Sequence, residues 1–315
     1  MQFSWSNIKG EAKGWTALDV GAGGSVVGVS VRYSAAARPQ VLKCAQSSSD
    51  GAQALEELAG KVSVAGFAFT LPLRRGDYKM LVVPEPPVLA AEMERSLRWS
   101  LGAMIDFPVE EANVAWMKIP TAEFQPNRAR HIYAIVARKS VLDELAAPFQ
   151  KARLNLAAID VRETAQRNIA ALLGKKGEGL GLLSVGPAGV MITFTFGGEL
   201  YLDRFIEQPL DEMVAADEVA QQGIFERIAL QVSRSIDFIS RNFPFMPVQR
   251  IVLAPLPAPL ALHGYLAQNL QVPVEMLDLA SVFDLSLTPE LQVPQNQSRY
   301  FVALGAALRG MGTKP

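Results

Sequence analysis

The chain opens its ordered pattern with the β-rich run Trp15–Val20, then the short turn Gly21–Gly24, then Ser25–Val31, where apolar and polar positions alternate, and a third such run at Gln40–Ala45. Alternation with a period of two marks a half-buried strand, so three successive strands in a small antiparallel meander are predicted. A helix over Ala52–Ala59, closed by Gly60, and a strand over Val62–Phe69 follow. The second half of the chain repeats the plan: Gly179–Val185, Val190–Phe196 and Glu199–Ile206 are again three strands, joined by Gly186–Gly189 and the tight turn Gly197–Gly198. Next comes a helix over Asp211–Asn242, in which Phe225, Ile228, Val232, Ile236 and Ile239 share one face at helical spacing and are expected in the core. Strand Arg250–Leu253, helix Ala258–Asn269, strand Val272–Met276 and a helix around Tyr300–Leu308 close the chain. A β-β-β-α-β order therefore occurs twice. It predicts a mixed-sheet α/β molecule of two lobes facing each other across a cleft, with each lobe's glycine turn pointed into it.

Between the halves, about Asp77 to Arg153 stands outside the repeat and is expected to form an inserted subdomain. Met93, Leu97, Leu101 and Met104 make a helical stripe, Asn113–Ile119 and His131–Ala137 have strand character, and Leu142–Ala152 has that of a second helix. Asp106–Phe107–Pro108 is expected to stop the first helix, because the residue before proline avoids the α region.

Composition narrows the function classes. A chain of 315 residues, half of them apolar, has enough material for more than one buried core. Its formal net charge of -1 provides no global field for a nucleic-acid backbone, and Arg74–Arg75 and Arg128–Arg130 are read as solvated turn charges. The single cysteine, Cys44, excludes an internal disulfide and is expected to be a buried, inert thiol. The polar N-terminal stretch lacks the apolar core of a signal peptide, and no run is long enough for a membrane span, so a cytoplasmic protein that meets membranes only through partners is expected.

Candidate chemistry centres on the two turns. Backbone amides of a glycine turn can hold phosphate oxygens, and a carboxylate ending the preceding strand can position a hydrated magnesium ion. Asp19, Gly21, Gly23, Gly24 and Ser25 have that pattern, although taken alone it is a weak signal, because glycine-rich strand connections are common and an exposed turn without ligand is the leading reading. At the corresponding place in the second half, Ser184 stands where the first has Asp19, and Pro187 removes a donor near Gly186. Phosphoryl transfer needs metal, donors and a positioned water together, so turnover is not expected. His131 and His263 are isolated, no metal site is expected, and Asp143–Glu144 and Glu110–Glu111 read as solvated faces.

With the duplicated halves and the insertion in view, the chain resembles the actin-like PilM and MshI proteins of type IV pilus assembly. The resemblance rests on Ala17–Leu18–Asp19–Val20–Gly21, on Arg98–Trp99, and on Ile105–Asp106–Phe107–Pro108–Val109–Glu110–Glu111. It continues through Ala137–Arg138–Lys139, Ala158–Ile159–Asp160–Val161, Ser233–Arg234–Ser235–Ile236–Asp237–Phe238 and the ending Ala303–Leu304–Gly305–Ala306–Ala307–Leu308–Arg309–Gly310. It implies an actin-like, duplicated ribonuclease H-like fold of two lobes with an inserted subdomain where the cell-division protein FtsA carries its own. The implied boundaries are 1–76 and 154–176 for the first lobe, 77–153 for the insertion, 177–299 for the second lobe with a shortened subdomain at about 206–245, and 300–315 for a helix returning to the first lobe.

The resemblance further implies a cytoplasmic scaffold of an MSHA-type pilus platform, peripheral at the inner membrane, that binds the N-terminal tail of a PilN-like membrane protein. Arg98, Trp99, Ile105, Phe107 and Trp116 are the candidate lining of that tail's groove, each with an equally good reading as core; other platform proteins or the assembly ATPase are further candidate partners. Members usually hold ATP between their lobes, which would bring Gly186 and Gly305 to the pocket beside the first turn. Here Ser184 replaces the second aspartate, Ala254–Pro255–Leu256–Pro257 stands where a paired-glycine adenosine turn is expected, and Arg204–Gly223 is short, without the Gly-Gly-Thr stretch and helix lysine. The expectation is a pseudo-ATPase with a degenerate pocket and no cofactor. The alternatives are an ATP–magnesium-binding, slowly hydrolysing or sugar-kinase-like enzyme using the first turn, and a protein that simply self-associates through its lobes.

Overall fold

The computed structural model describes residues 14–21, 24–34, 37–47, 51–121 and 129–311. The predicted Gly23 and Arg128 lie outside them. In chain order, β1 (Gly14–Val20), β2 (Val26–Ser34), β3 (Ala37–Gln46), α1 (Gly51–Val62) and β4 (Ala68–Pro72) lead into the insertion of β5 (Tyr78–Pro84), α2 (Met93–Leu101), β6 (Ala112–Lys118), β7 (His131–Arg138) and α3 (Lys139–Lys151). The chain then returns through β8 (Leu156–Asp160) and α4 (Arg162–Leu173) before β9 (Gly179–Gly186), β10 (Gly189–Phe196) and β11 (Glu199–Ile206). It ends with α5 (Leu210–Ala215), α6 (Glu218–Asn242), β12 (Val248–Leu253), α7 (Leu262–Asn269), β13 (Val274–Met276) and α8 (Pro294–Ala306).

The duplication is explicit in the sheets. Two five-stranded sheets run β3-β2-β1-β4-β8 and β11-β10-β9-β12-β13, the same winding twice. In each, the meander is antiparallel and the fourth and fifth strands join in parallel. Trp15, Ala17, Val27 and Val29 from the first sheet and Leu180 and Leu182 from the second meet in one buried cluster with Ala165 and Ile169 of α4 and Phe301 and Leu304 of α8. Helices α4 and α8 are thus a layer shared by both lobes. On the outer side of the first sheet, Leu18, Val20 and Val26 pack on Leu55, Leu58 and Val62 of α1. On that of the second, Leu183, Val185 and Ile192 pack on Phe225, Ile228 and Val232 of α6.

The insertion is a three-stranded sheet ordered β5-β7-β6. Its central strand is buried on both faces: Ile132, Ala134 and Val136 meet Met93, Leu97 and Leu101 of α2, while Tyr133, Ile135 and Ala137 belong to the second lobe's buried cluster. Helix α3 turns back to the first lobe, where Phe149 sits edge-on to Phe69 at 5.7 Å.

Several boundaries differ from expectation for identifiable reasons. Val62 ends α1 instead of starting a strand, because its side chain is fully buried and its carbonyl accepts from Ser30 Oγ; the strand begins only at Ala68, after Gly66 turns the chain at φ +82°. The long helix is two, since Asp217 caps α6 by accepting from Ala220 N at 2.8 Å. Pro257 and Pro259 hold α7 back to Leu262, and α8 starts earlier than expected, at Pro294, where proline suits the first turn. Helix α2 stops at Leu101, so Met104 lies beyond it and is 45% exposed.

Candidate functional site

The ends of β1 and β9 open on a cavity of about 460 Å³ between the lobes, walled also by the start of α4, by the chain after β12 and by α8. Asp19, Gly21, Ser25, Ser184 and Gly186 line it together, as the duplicated pattern predicts, and so does Pro187. Register explains the pairing: Asp19 sits opposite Val27 and Ser184 opposite Met191, each one residue before the last valine pair of its hairpin. Gly305 is a correction. It is not in the cavity wall; a Cβ there would lie 2.2 Å from the carbonyl oxygen of Ala165, so this glycine is what lets α8 approach α4. Gly24, at φ +82°, shapes the turn and does not line the cavity.

Helix α4 decides the chemistry of both turns. Arg162, at its first residue, donates from Nη2 to Asp19 Oδ1 at 2.7 Å and from Nη1 to Oδ2 at 3.5 Å, and Nη2 also reaches the Val20 carbonyl at 3.3 Å. One turn on, Gln166 accepts from Ser184 Oγ at 2.6 Å while its own amide donates to Leu182 O at 2.6 Å and Thr193 Oγ1 at 3.0 Å. Both strand-end side chains are therefore committed to one helix. In the first turn the Gly21 amide is spent on Ser25 O at 2.7 Å.

A magnesium ion held by Asp19 would have to displace a guanidinium from a carboxylate that is only 8% exposed, and would find no second carboxylate at Ser184. The residues present do not fit the metal. Among the described residues no group of three or more His, Cys, Asp or Glu could hold one. His131 is exposed, and His263 makes its ring contact with Val274 O.

Among the described residues, four arginines, Arg74, Arg75, Arg162 and Arg299, stand in the cavity wall with one carboxylate, that of Asp19. Arg74 and Arg75, read from sequence as solvated turn charges, thus belong to the cleft. Arg162 escaped sequence analysis because its partner lies 143 residues away. Arg75 lies 4.3 Å above the Phe205 ring and donates to Glu163, whose carboxylate is fully buried and also accepts from the Tyr78 hydroxyl. Burial first, and the Glu163 charge second, push the Tyr78 phenol well above its usual range.

Nearby, burial and then the Glu163 charge raise Asp203 to about 6. A carboxyl whose folded pKa exceeds its unfolded value costs stability once ionised, so this cost is absent below about pH 4 and complete above about pH 6. Asp203→Asn is therefore expected to stabilise the protein by on the order of 2 kcal/mol at pH 8, and by almost nothing at pH 4. Urea unfolding at both values checks it.

The predicted partner residues gather only in part. Ile105, Phe107 and Trp116 are half-buried on the insertion's own cluster beneath α2, and Arg138 stacks over Phe107 at 4.2 Å. Arg98 clips α2 to the next strand by donating to the carbonyls of Val109 at 2.9 Å and Ala112 at 2.8 Å. Trp99 stands apart on the opposite face of α2 and is 89% exposed. Cys44 is half-buried, not buried as expected; its thiol donates to Glu290 at 3.0 Å, and burial, then that carboxylate, raise its pKa strongly. No helix among the described residues is long and apolar enough to cross a membrane.

No family model matches the chain, and no curated protein sequence does. Among solved structures, a chain of a PilM–PilN type IV pilus biogenesis complex superposes with a TM-score of 0.69 at 18% identity, covering 96% of this chain and 99% of that one. The cytoplasmic domain of EpsL, an inner-membrane component of the Vibrio cholerae type II secretion system, matches with a TM-score of 0.47 at 12% identity over 81% of this chain and 94% of its own. A Bacteroides thetaiotaomicron protein with an actin-like ATPase fold matches with 0.47 at 11% identity over 89% and 96%. Twin sheets wound alike, a helix layer shared between them, an insertion after the first lobe's fourth strand and this full-length superposition give the protein the actin-like fold.

Proposed function

We propose that the protein is a non-hydrolysing actin-like scaffold of an MSHA-type pilus platform, which takes up the N-terminal cytoplasmic tail of a PilN-like inner-membrane protein. The observation that carries this reading is the superposition with a chain of the PilM–PilN complex, which spans both chains almost entirely, insertion included. Trp99 supports it: a tryptophan 89% exposed on a helix otherwise anchored by Met93, Leu97 and Leu101 is the kind of side chain that anchors a partner. An extended tail can add to a sheet edge, and β5 and β6 are both edge strands of the insertion. The slow-ATPase alternative is disfavoured by Arg162 on Asp19 and by Ser184, because metal-assisted phosphoryl transfer needs carboxylates free to hold the ion.

The test is calorimetric titration of the full chain with a synthetic tail peptide of the PilN-like protein. Micromolar binding that Trp99→Ala weakens about tenfold is expected. Absence of binding, with the protein folded, would remove the scaffold reading and leave only the fold.

A further inference from the structure

We propose that the interlobe cleft takes a phosphate-bearing anion free of divalent cation, with the Arg162 guanidinium occupying Asp19 in the role a metal would play. Three observations converge. The metal-type carboxylate is already neutralised, by a fork that touches both its oxygens. The second turn has an uncharged hydroxyl at the corresponding place, Ser184, held by Gln166 of the same helix, so α4 occupies both strand-end side chains. Among the described residues the cavity wall carries four guanidiniums and the carboxylate of Asp19; Asp77 and Glu163, set behind the wall, pair with Arg74 and Arg75, so four guanidiniums against three carboxylates leave an excess of one positive charge.

A guanidinium has five donors in a planar fork that suits phosphate oxygens. Among the described residues, Arg74, Arg75 and Arg299 each donate one hydrogen bond, to Asp77, Glu163 and Gln46. Each therefore keeps donors for a ligand. The cavity, at about 460 Å³, is of a size that encloses a small phosphorylated molecule. A phosphate chain complexed with magnesium brings less negative charge and a hydrated cation into this arginine-rich wall. Magnesium is thus a competitor of the cleft for the anion, the reverse of its role in a metal-dependent site.

The sign of two perturbations tests this. The full chain is titrated with ATP, ADP and inorganic tripolyphosphate, in EDTA and in excess magnesium at equal ionic strength. Binding in EDTA is expected to be at least about threefold tighter than in magnesium. Asp19→Asn, which removes the wall carboxylate paired with Arg162 and frees that guanidinium, is expected to tighten binding several-fold, whereas in a metal-dependent site it abolishes binding. Arg162→Gln is expected to weaken binding about tenfold; should that variant unfold, the exposed Arg299→Gln, expected to weaken it about threefold, replaces it. Equal affinity for ATP and tripolyphosphate assigns the site to the phosphate chain, and tighter ATP assigns it to a nucleotide; both uphold the proposal. Binding that requires magnesium, weakening by Asp19→Asn, or no binding of any of the three overturns it. The inference goes beyond the scaffold reading, and the peptide titration stands or falls separately from it.

Discussion

Gly305→Ala is expected to cost about 3 kcal/mol of stability, far more than a methyl group costs on most helix surfaces. The added Cβ would lie 2.2 Å from Ala165 O and 2.7 Å from its carbonyl carbon, and because the obstruction is backbone, no rotamer change relieves it. The two helices must separate. Their separation would loosen the hydrogen bond from Asn168 Nδ2 to Gly305 O, 2.9 Å long, and the apolar cluster in which α4 and α8 join both sheets. Gly264→Ala in α7 is the control: nothing lies within 4 Å of its Cβ position, so helix propensity alone should make it stabilising by up to about 1 kcal/mol. Urea unfolding of the two variants should give opposite signs, and a neutral Gly305→Ala would show that the α4–α8 contact is softer than its geometry implies.

Glu163→Ala should cost a similar 3 kcal/mol or more, through charge instead of shape. This fully buried carboxylate accepts from Arg75 after the fourth strand and from Tyr78 at the start of β5, so one side chain of α4 holds both sides of the junction between first lobe and insertion. Its removal strands the hydroxyl of Tyr78, which is 7% exposed, and frees Arg75 from its partner. Faster hydrogen exchange in β5 than in the distant β12 should accompany the loss. If the destabilisation were uniform along the chain, Glu163 would be a general core contact and not the pin of the insertion.

These two residues also mark the limit of what patterning reveals. The three meander strands of the second lobe, β9 to β11, were legible almost to the residue because tight turns at Pro187–Ala188 and Gly197–Gly198 bound them and their registers are short-range. Helix α4 was not, although it sits at the centre of the molecule. Its buried face contains Glu163, Thr164, Gln166 and Asn168 among the apolar residues, so a search for apolar positions at helical spacing passes over it. Those polar residues are tolerated inside because each has a hydrogen-bond partner on a neighbouring element or within the first turn. Strand β8, only five residues long, and β5, an edge strand ending in Pro84, lack the length or the two-sided burial that announces a strand.

The duplicated order of strands and helices, the place of the insertion and the presence of Ser184 where the first half has Asp19 were determined by the sequence alone, since each is a matter of local period or of one residue's chemistry. Tertiary structure decided the charge of the cleft. Whether Asp19 is a metal ligand or half of an ion pair depends on which side chain the fold brings to it from 143 residues away. Whether Arg74 and Arg75 are solvated or wall a cavity depends on where a second lobe packs. Local periodicity reports which face of an element is buried; it does not report what is buried against it, and long-range pairing of charges is set only when the sheets close on their shared helices.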